Sequence, residues 1–251
     1  IITHIILIMS LGWYLITNLQ WYNYKLERVI LKHHKWQWHI TYFLSPIVLF
    51  YIIPEPYYAA YFFIIYMTSF ILWNKKLDRA VVLTSRVKRF LAILLFTTFA
   101  MTALCLSSPS CTNMVIFTPL ILTYGISTLL EKIFFISFKN KGKQRIKSIA
   151  GLRTIAITAS YGKTSIKNYL YHVLKNKYKT YKTPRSVNTI AGIVLDVNRD
   201  IPLDTQIYIA EAGARVKGDI EEIAMFLEPQ ICIIGSVGPQ HIEYFKTLDN
   251  I

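Results

Sequence analysis

The stretch Ile155-Ala-Ile-Thr-Ala-Ser-Tyr-Gly-Lys-Thr-Ser-Ile-Lys167 decides the fold of the second half of the chain. An apolar run, a glycine turn and an amphipathic segment follow one another, which predicts a β-strand leading into a helix. Such a turn aims backbone N–H groups and a helix N-terminus at one spot, where a phosphate can bind. Lys163 would add a positive charge, and the Thr164 hydroxyl can bind Mg²⁺. The spacing departs from the standard nucleotide loop, because Ile157 stands where that loop has its first glycine.

Strands and helices alternate from Thr154 to the end of the chain. The predicted strands cover residues 154–158, 178–183, 206–210 and 231–236, and the predicted helices cover 164–175, 188–198 and 219–227. Apolar strands separated by amphipathic helices predict a parallel sheet covered on both faces. Ligands of such sheets bind at the carboxyl ends of the strands, where Ser160–Thr164, Glu211 and His241 fall.

Three polar residues outside the glycine turn are candidates for the same site. Glu211 follows a predicted strand, where a carboxylate can hold Mg²⁺, although a surface or capping glutamate is an equal reading. His241 follows another strand, and a lone loop histidine is usually solvated. Asn188 opens a predicted helix and by default would be its N-cap. None of the three is specific by itself.

Long apolar runs fill roughly the first 138 residues. Hydrophobic residues make up 53% of the chain, and the mean hydropathy of +0.37 is high for a soluble protein. Bilayer-spanning helices need ~17–25 residues, and all the runs but the second approach that length. The five runs are Ile1–Thr17, Ile40–Ile53, Tyr57–Trp73, Phe90–Leu106 and Met114–Leu130.

The net charge of +14 is concentrated in alternate loops. Residues 20–39 hold four Lys or Arg, residues 74–89 hold six and residues 131–153 hold seven. The loops between them, 54–56 and 107–113, hold none. Because cytoplasmic loops are enriched in Lys and Arg, this alternation predicts five spans with the N-terminus outside, and it argues against nucleic acid as the reason for the charge.

The predicted fold class is an α-helical multi-span membrane domain followed by an α/β P-loop domain with a parallel sheet. The membrane domain would cover residues 1–138, and a basic juxtamembrane linker would cover 139–153. Attraction to anionic lipid head groups is a sufficient explanation of the basic residues in this linker. Everything after Leu130 would lie in the cytoplasm.

Four motifs in the α/β region occur in a fixed order: S-Y-G-K-T-S at 160–165, N-T-I-A-G at 188–192, E-A-G-A-x-x-x-G-D-I at 211–220 and G-P-Q-H-I-E at 238–243. Together they resemble the ATP-binding central domain of the Mur ligase family, and within it the MurF type. The resemblance covers residues 154–251. It implies an ATP-dependent ligase that adds D-alanyl-D-alanine to UDP-N-acetylmuramoyl-tripeptide through an acyl phosphate, in peptidoglycan synthesis at the bacterial cytoplasmic membrane.

The resemblance also implies roles for individual residues. Lys163, Asn188, Glu211 and His241 would form the catalytic set, and two Mg²⁺ ions would be bound by Thr164, Glu211 and His241. The residues expected to hold ATP are Thr158, Ser160, Tyr161, Gly162, Lys163, Thr164, Ser165 and Asn188. The lipid bilayer and other proteins of wall synthesis are the remaining expected partners.

The chain departs from the family in three ways. Relatives usually have glycine where this chain has Ala159, so the loop must accommodate a Cβ. The family's carbamylated lysine and its C-terminal domain would lie beyond Ile251, so we expect an incomplete central domain that is inactive alone. The predicted membrane spans would take the place of the usual uridine-binding domain.

Two other functions fit the same features. A membrane-attached ligase of the poly-γ-glutamate synthase type would also join spans to a Mur-like ATP domain, with glutamate as the acceptor. A non-catalytic membrane scaffold for wall-synthesis proteins is the second. The G-P-Q-H-I-E stretch favours the MurF type over the former, and the intact set of Lys163, Thr164, Glu211 and His241 argues against the latter.

Overall fold

A computed structural model describes residues 1–107, 116–240, 242–247 and 250 of the chain. These residues divide into two compact units, Ile1–Lys132 and Ile133–Ile251. The first unit is helical, and the second contains the sheet. His241, and the first two residues of the predicted span Met114–Leu130, lie outside the described residues.

The first unit contains the long helices α1 (Ile2–Trp21) and α7 (Ser85–Leu106) and the start of α8 (Phe117–Ser148). The shorter helices are α2 (Leu26–Leu31), α3 (Gln37–His39), α4 (Ser45–Ile52), α5 (Tyr57–Tyr61) and α6 (Met67–Lys75). A π-helical segment joins α3 to α4, and another joins α5 to α6; they cover Ile40–Leu44 and Phe62–Tyr66. The two predicted runs at 40–53 and 57–73 are therefore helical, but each contains a π-helical segment in place of regular α-helix.

Within the described residues, three helices are long and apolar enough to cross a membrane: α1, α7 and α8. The centre of α1 is buried in the unit, with Leu7, Ile8 and Leu11 fully enclosed. In contrast, α7 and α8 expose much of their apolar surface, including Phe96 and Ile121. Five membrane spans remain a prediction.

The second unit contains a four-stranded parallel sheet in the order β2-β3-β1-β4. The strands are β1 (Arg153–Thr158), β2 (Thr180–Lys182), β3 (Ile207–Glu211) and β4 (Ile231–Ile234). The helices between and after them are α9 (Lys163–Leu174), α10 (Ile190–Arg199), α11 (Asp219–Leu227) and α12 (Ile242–Phe245). The predicted parallel sheet is confirmed; β2 is three residues long because pairing with β3 covers only Thr180–Lys182.

Strand alternation sends the apolar side chains of the sheet to two faces. Ile155 and Ile157 of β1 pack with Ile207 and Ile209 of β3 and with the apolar side of α9. On the opposite face, Tyr208 packs against α10 and α11. Helices on both faces explain why the strands read as nearly continuous apolar runs.

The basic segment predicted as a juxtamembrane linker is partly the end of α8, which continues to Ser148. Lys139 Nζ donates to Glu222 Oε1 over 2.7 Å, and Lys143 Nζ lies 3.3 Å from Glu228 Oε1. Arg145 donates to the carbonyl of Ile201 over 2.8 Å. Each of these three basic side chains therefore has a partner in the α/β unit, and attraction of this segment to lipid remains a prediction.

Candidate nucleotide site

The site begins where β1 ends and α9 starts. Gly162 precedes the helix with a φ of +81°, a left-handed conformation that favours glycine. Lys163, Thr164 and Ser165 form the first turn of α9, so backbone N–H groups that have no partner within a helix face the loop. No acidic residue occupies this first turn. The positive end of the helix is therefore available to an anion.

A second loop, residues 235–240 after β4, fixes the shape of the first. The backbone N–H of Ser160 donates to the carbonyl of Ser236 over 2.8 Å. The hydroxyl of Ser160 donates to the carbonyl of Gly238 (3.0 Å) and accepts from the N–H of the same residue (2.9 Å). Ser160 thus supports the loop from behind while it also lines the cavity described below.

Ala159 fits this arrangement because its neighbour is Gly235. A Cβ added at residue 235 would lie 2.8 Å from the Cβ of Ala159, closer than real Cβ contacts allow. The glycine at 235 leaves room for the methyl group at 159, while the N–H of Gly235 donates to the carbonyl of Thr158 over 2.8 Å. The departure of Ala159 from the family pattern is therefore compatible with the loop.

Lys163 folds over the carbonyl groups of its own loop. Its Nζ donates to the carbonyl of Ala159 over 2.5 Å and lies 3.4 Å from both the Ser160 carbonyl and Gln240 Oε1. Burial lowers the pKa of Lys163, and the nearby charge of Glu211 opposes that shift. Phosphate oxygens are stronger acceptors than these neutral groups, so the ammonium is well placed to exchange its partners for a phosphate.

Thr164 and Glu211 place two oxygen atoms side by side. The Thr164 hydroxyl donates to Glu211 Oε2 over 3.2 Å, and the Glu211 side chain is 1% exposed at the end of β3. One carboxylate and one hydroxyl suit Mg²⁺, which takes few protein ligands and shares substrate phosphates. No cluster of three or more His, Cys, Asp or Glu side chains occurs in the described part of the chain. An all-oxygen site of this kind fits Mg²⁺ better than a softer metal.

Asn188 has a different role from the expected helix cap. Thr189 caps α10, because its hydroxyl accepts from the N–H of Gly192 over 3.3 Å. Asn188 instead lies against Gly213, whose N–H donates to the Asn188 carbonyl over 2.8 Å. A Cβ at Gly213 would lie 2.8 Å from Asn188 Cγ, which explains the glycine two residues after Glu211. The capping prediction for Asn188 is wrong, and its side chain lines the cavity.

These groups surround one cavity of about 500 Å³. Its lining includes most of the residues predicted from sequence: Ser160, Tyr161, Gly162, Lys163, Thr164, Ser165, Asn188 and Glu211. Thr158 lines a second cavity of about 290 Å³ that shares Ser160 and Lys163 with the first. The prediction for His241 lies outside the described residues. Sequence reasoning missed lining residues on the loops after β2, β3 and β4 and at the start of α11, namely Ser186, Thr189, Arg215, Gln240 and Asp219.

The region that holds this cavity matches a known family. Residues 157–251 match the Mur ligase middle domain. This match confirms the resemblance seen in the motifs. Within the family, the relatives it matches are MurF ligases.

The similarity to these relatives is confined to one part of each. The chain is 36% identical over 99 residues to the UDP-N-acetylmuramoyl-tripeptide--D-alanyl-D-alanine ligase of Borreliella burgdorferi, covering 39% of this chain and 21% of the relative. The ligase of the same name from Bacillus subtilis is 32% identical over 101 residues, covering 40% and 22%. The chain thus spans about a fifth of the length of these curated relatives.

Two solved structures are also similar to part of the chain. The structure of MurF ligase from Thermotoga maritima in complex with ADP is 30% identical, with a TM-score of 0.43, over 45% of this chain and 26% of that one. A structure of MurF from Acinetobacter baumannii is 26% identical, with a TM-score of 0.44, over 46% and 25%.

Proposed function

We propose that the chain carries the nucleotide-binding part of an ATP-dependent ligase that joins D-alanyl-D-alanine to UDP-N-acetylmuramoyl-tripeptide in peptidoglycan synthesis. The observation that carries the proposal is the convergence of Lys163, Thr164 and Glu211 on one cavity, within a segment that matches ligases of this name. The amide-forming activity, the two substrates and the cell-wall role are all parts of this proposal.

The chemistry requires a carboxylate to become a better electrophile. A peptide carboxylate does not react with an amine, so ATP would convert it to an acyl phosphate, and the amine of the incoming dipeptide would then displace phosphate. The main obstacle is electrostatic, because a carboxylate must approach a triphosphate. In our proposal Lys163 and the N–H groups at the start of α9 offset the negative charge of the β- and γ-phosphates.

Mg²⁺ belongs to the proposal through the residues that would hold it. When bound, it would supply positive charge to the phosphate oxygens. Thr164 and Glu211 would hold a first ion, since their oxygens lie together at the cavity. We propose His241 for a second ion on the basis of its motif, and Asn188 for contacts with the phosphates or the ions bound to them.

We also propose that the helical unit anchors the protein in a bacterial cytoplasmic membrane, with the ligase region in the cytoplasm. The length and apolar composition of α1, α7 and α8 support this, as does the alternation of basic loops. Such an anchor would bring the ligase near lipid-linked steps and other proteins of wall synthesis. Release of the protein from washed membranes by alkaline carbonate, without detergent, would contradict the anchor.

The test of the ligase is phosphate release by the gene product that contains this chain, with whatever sequence its gene encodes on either side. The reaction contains ATP, Mg²⁺ and UDP-N-acetylmuramoyl-tripeptide, with D-alanyl-D-alanine or glutamate as acceptor. Lys163→Ala is the test variant. Lys175→Ala is the matched control, because Lys175 is an exposed lysine at the other end of α9.

We expect phosphate release that requires D-alanyl-D-alanine, falls at least 100-fold in Lys163→Ala and is unchanged in Lys175→Ala. Release with glutamate alone would instead assign the protein to the polyglutamate class. Binding of ATP without release in the presence of either acceptor would favour a scaffold. If Lys163→Ala and the unaltered protein released phosphate equally, the cavity around Lys163 would not be the nucleotide site.

A further inference from the structure

We infer that Lys167, which none of the family motifs or the roles above includes, is a positioning residue for the cation ligand Glu211. It lies on α9 one turn after Lys163. Lys163 lines the cavity, whereas the side chain of Lys167 is buried and 1% exposed. The inference rests on the proposed nucleotide function, and it concerns how the metal ligand is held and not which reaction follows.

The first step is the ion pair. Lys167 Nζ lies 2.6 Å from Glu211 Oε1, and both side chains are 1% exposed. Burial of an ammonium group is strongly unfavourable unless it is paired and hydrogen-bonded. Lys167 meets this requirement, because it also donates to the carbonyl of Thr183 over 2.8 Å and to the carbonyl of Arg185.

The second step is the difference between the two oxygens of Glu211. Oε1 faces Lys167, whereas Oε2 accepts from the Thr164 hydroxyl over 3.2 Å. The backbone N–H of Glu211 points to the Thr183 hydroxyl, 3.4 Å away. The lysine therefore commits one oxygen to the interior and leaves the other beside Thr164 at the cavity. Such a carboxylate would bind a cation through a single oxygen.

The third step is the loop after β2. The carbonyls of Thr183 and Arg185 that accept from Lys167 belong to the loop that carries Ser186 and Asn188 to the cavity. Arg185 has a φ of +48°, in the left-handed region that costs a non-glycine residue energy. One ammonium group thus joins α9, the end of β3 and this loop.

The experiment separates cation binding from nucleotide binding. The affinity of the whole protein for the β,γ-imido analogue of ATP is measured by calorimetry, once with EDTA and once with Mg²⁺. Mn²⁺ binding to the protein–analogue complex is measured in parallel by the loss of the free-ion signal in electron paramagnetic resonance. Lys167→Met is the test variant, and Lys175→Met is the same change at the exposed residue that follows α9.

We expect Lys167→Met to bind the analogue in EDTA within threefold of the unaltered protein. The factor by which Mg²⁺ increases the affinity for the analogue should fall at least fivefold, and the affinity for Mn²⁺ should fall as well. Lys175→Met should change neither quantity. Lys163→Met should differ from both, because it should weaken binding with and without the cation. If the role of Lys167 were purely structural, its replacement would not change the ratio of the analogue affinities measured with Mg²⁺ and with EDTA.

Lys167→Gln serves as a second variant in case Lys167→Met does not fold. Its amide can still donate to the carbonyls of Thr183 and Arg185, but it has no charge with which to hold Glu211. We expect a loss of at least threefold in the Mg²⁺ effect. An unchanged Mg²⁺ effect in either folded variant overturns the inference alone. Absence of analogue binding by the unaltered protein would overturn the proposed function and this inference with it.

Discussion

The two units of the chain stabilise their buried polar side chains differently. In α1 and α7 several of these side chains donate to a carbonyl three or four residues earlier in the same helix: Ser10 to Leu7, Thr17 to Trp13, Asn18 to Tyr14, Thr97 to Leu94 and Thr102 to Thr98. Three of them also bond to a side chain on another segment of the unit: Ser10 to Tyr66, Asn18 to His33 and Thr97 to Thr123. In the α/β unit the buried Lys167 and Asp196 bind groups on other elements.

This difference sets what each unit tolerates. A hydroxyl bonded within its own helix needs no partner from another element, so the helix is satisfied in lipid as well as in protein. A group bonded across elements is satisfied only when those elements have assembled correctly. Substitution of a polar group that is bonded across elements should therefore be severe, whereas substitution of a hydroxyl bonded within its own helix, such as that of Thr17, should be mild. Three variants test this order.

The largest effect should follow removal of the partner of Lys167. Glu211→Leu leaves a buried ammonium without a counter-charge, and we expect a loss of about 3–5 kcal/mol in the free energy of unfolding. The double variant Lys167→Met with Glu211→Leu should recover much of the loss, since an apolar pair needs no desolvation of charge. Hydrogen exchange at the β1 and β3 amides measures both. A double variant no more stable than Glu211→Leu would show that the pair is not the cause.

A smaller effect is expected where a buried carboxylate loses one of two donors. The hydroxyls of Tyr181 and Tyr208 each donate to Asp196 over 2.7 Å. Tyr208→Phe removes one of them, and we expect a loss of about 1.5–3 kcal/mol at pH 7. The same hydrogen-exchange measurement at several pH values tests it, with Tyr178→Phe as control, because Tyr178 is partly exposed.

The sign of the pH dependence follows from Asp196. Burial raises the pKa of Asp196 above its usual value, so the folded unit retains this proton to higher pH than the unfolded chain. Protonation therefore favours the folded state as the pH falls. Loss of a donor raises this pKa further. The deficit of Tyr208→Phe in the free energy of unfolding should therefore shrink as the pH falls through the pKa of Asp196. A deficit that grows toward acid pH would contradict this account.

The smallest effect is expected in α1. Thr17→Val removes a hydroxyl that donates to the Trp13 carbonyl over 2.7 Å, while its β-branched shape remains. That carbonyl keeps its place in the backbone hydrogen bonding of the helix, so we expect a change within about 0.5 kcal/mol. Thermal unfolding of the purified protein measures it. A loss above about 1.5 kcal/mol would break the contrast between the units.

The parts of the site that follow from local order could be predicted from sequence. A strand, a glycine turn and a helix start within thirteen residues place Ser160 to Thr164 at one edge of the sheet, and Glu211 ends the neighbouring strand. Each of these positions depends on residues close to it in the chain, together with the general rule for parallel sheets.

Other features depend on partners distant in sequence. Lys167 resembles any helical lysine until Thr183 and Glu211 enclose it. Asn188 has the sequence context of a helix cap, and only its contact with Gly213 shows otherwise. Likewise, the basic residues before β1 match a lipid-binding segment as well as they match the acidic side chains that they meet.

The contact between Ala159 and Gly235 links the variability of two positions 76 residues apart in the chain. The space between the two loops holds one methyl group, so a side chain at either position excludes one at the other. Sequences of related domains should then covary here: where residue 159 is glycine, residue 235 is released from selection for the smallest side chain. An alanine introduced at 235 alone should push the two loops apart, and glycine at 159 should restore them. The residue at position 235, outside the phosphate-loop motif, should thus indicate whether residue 159 carries a side chain.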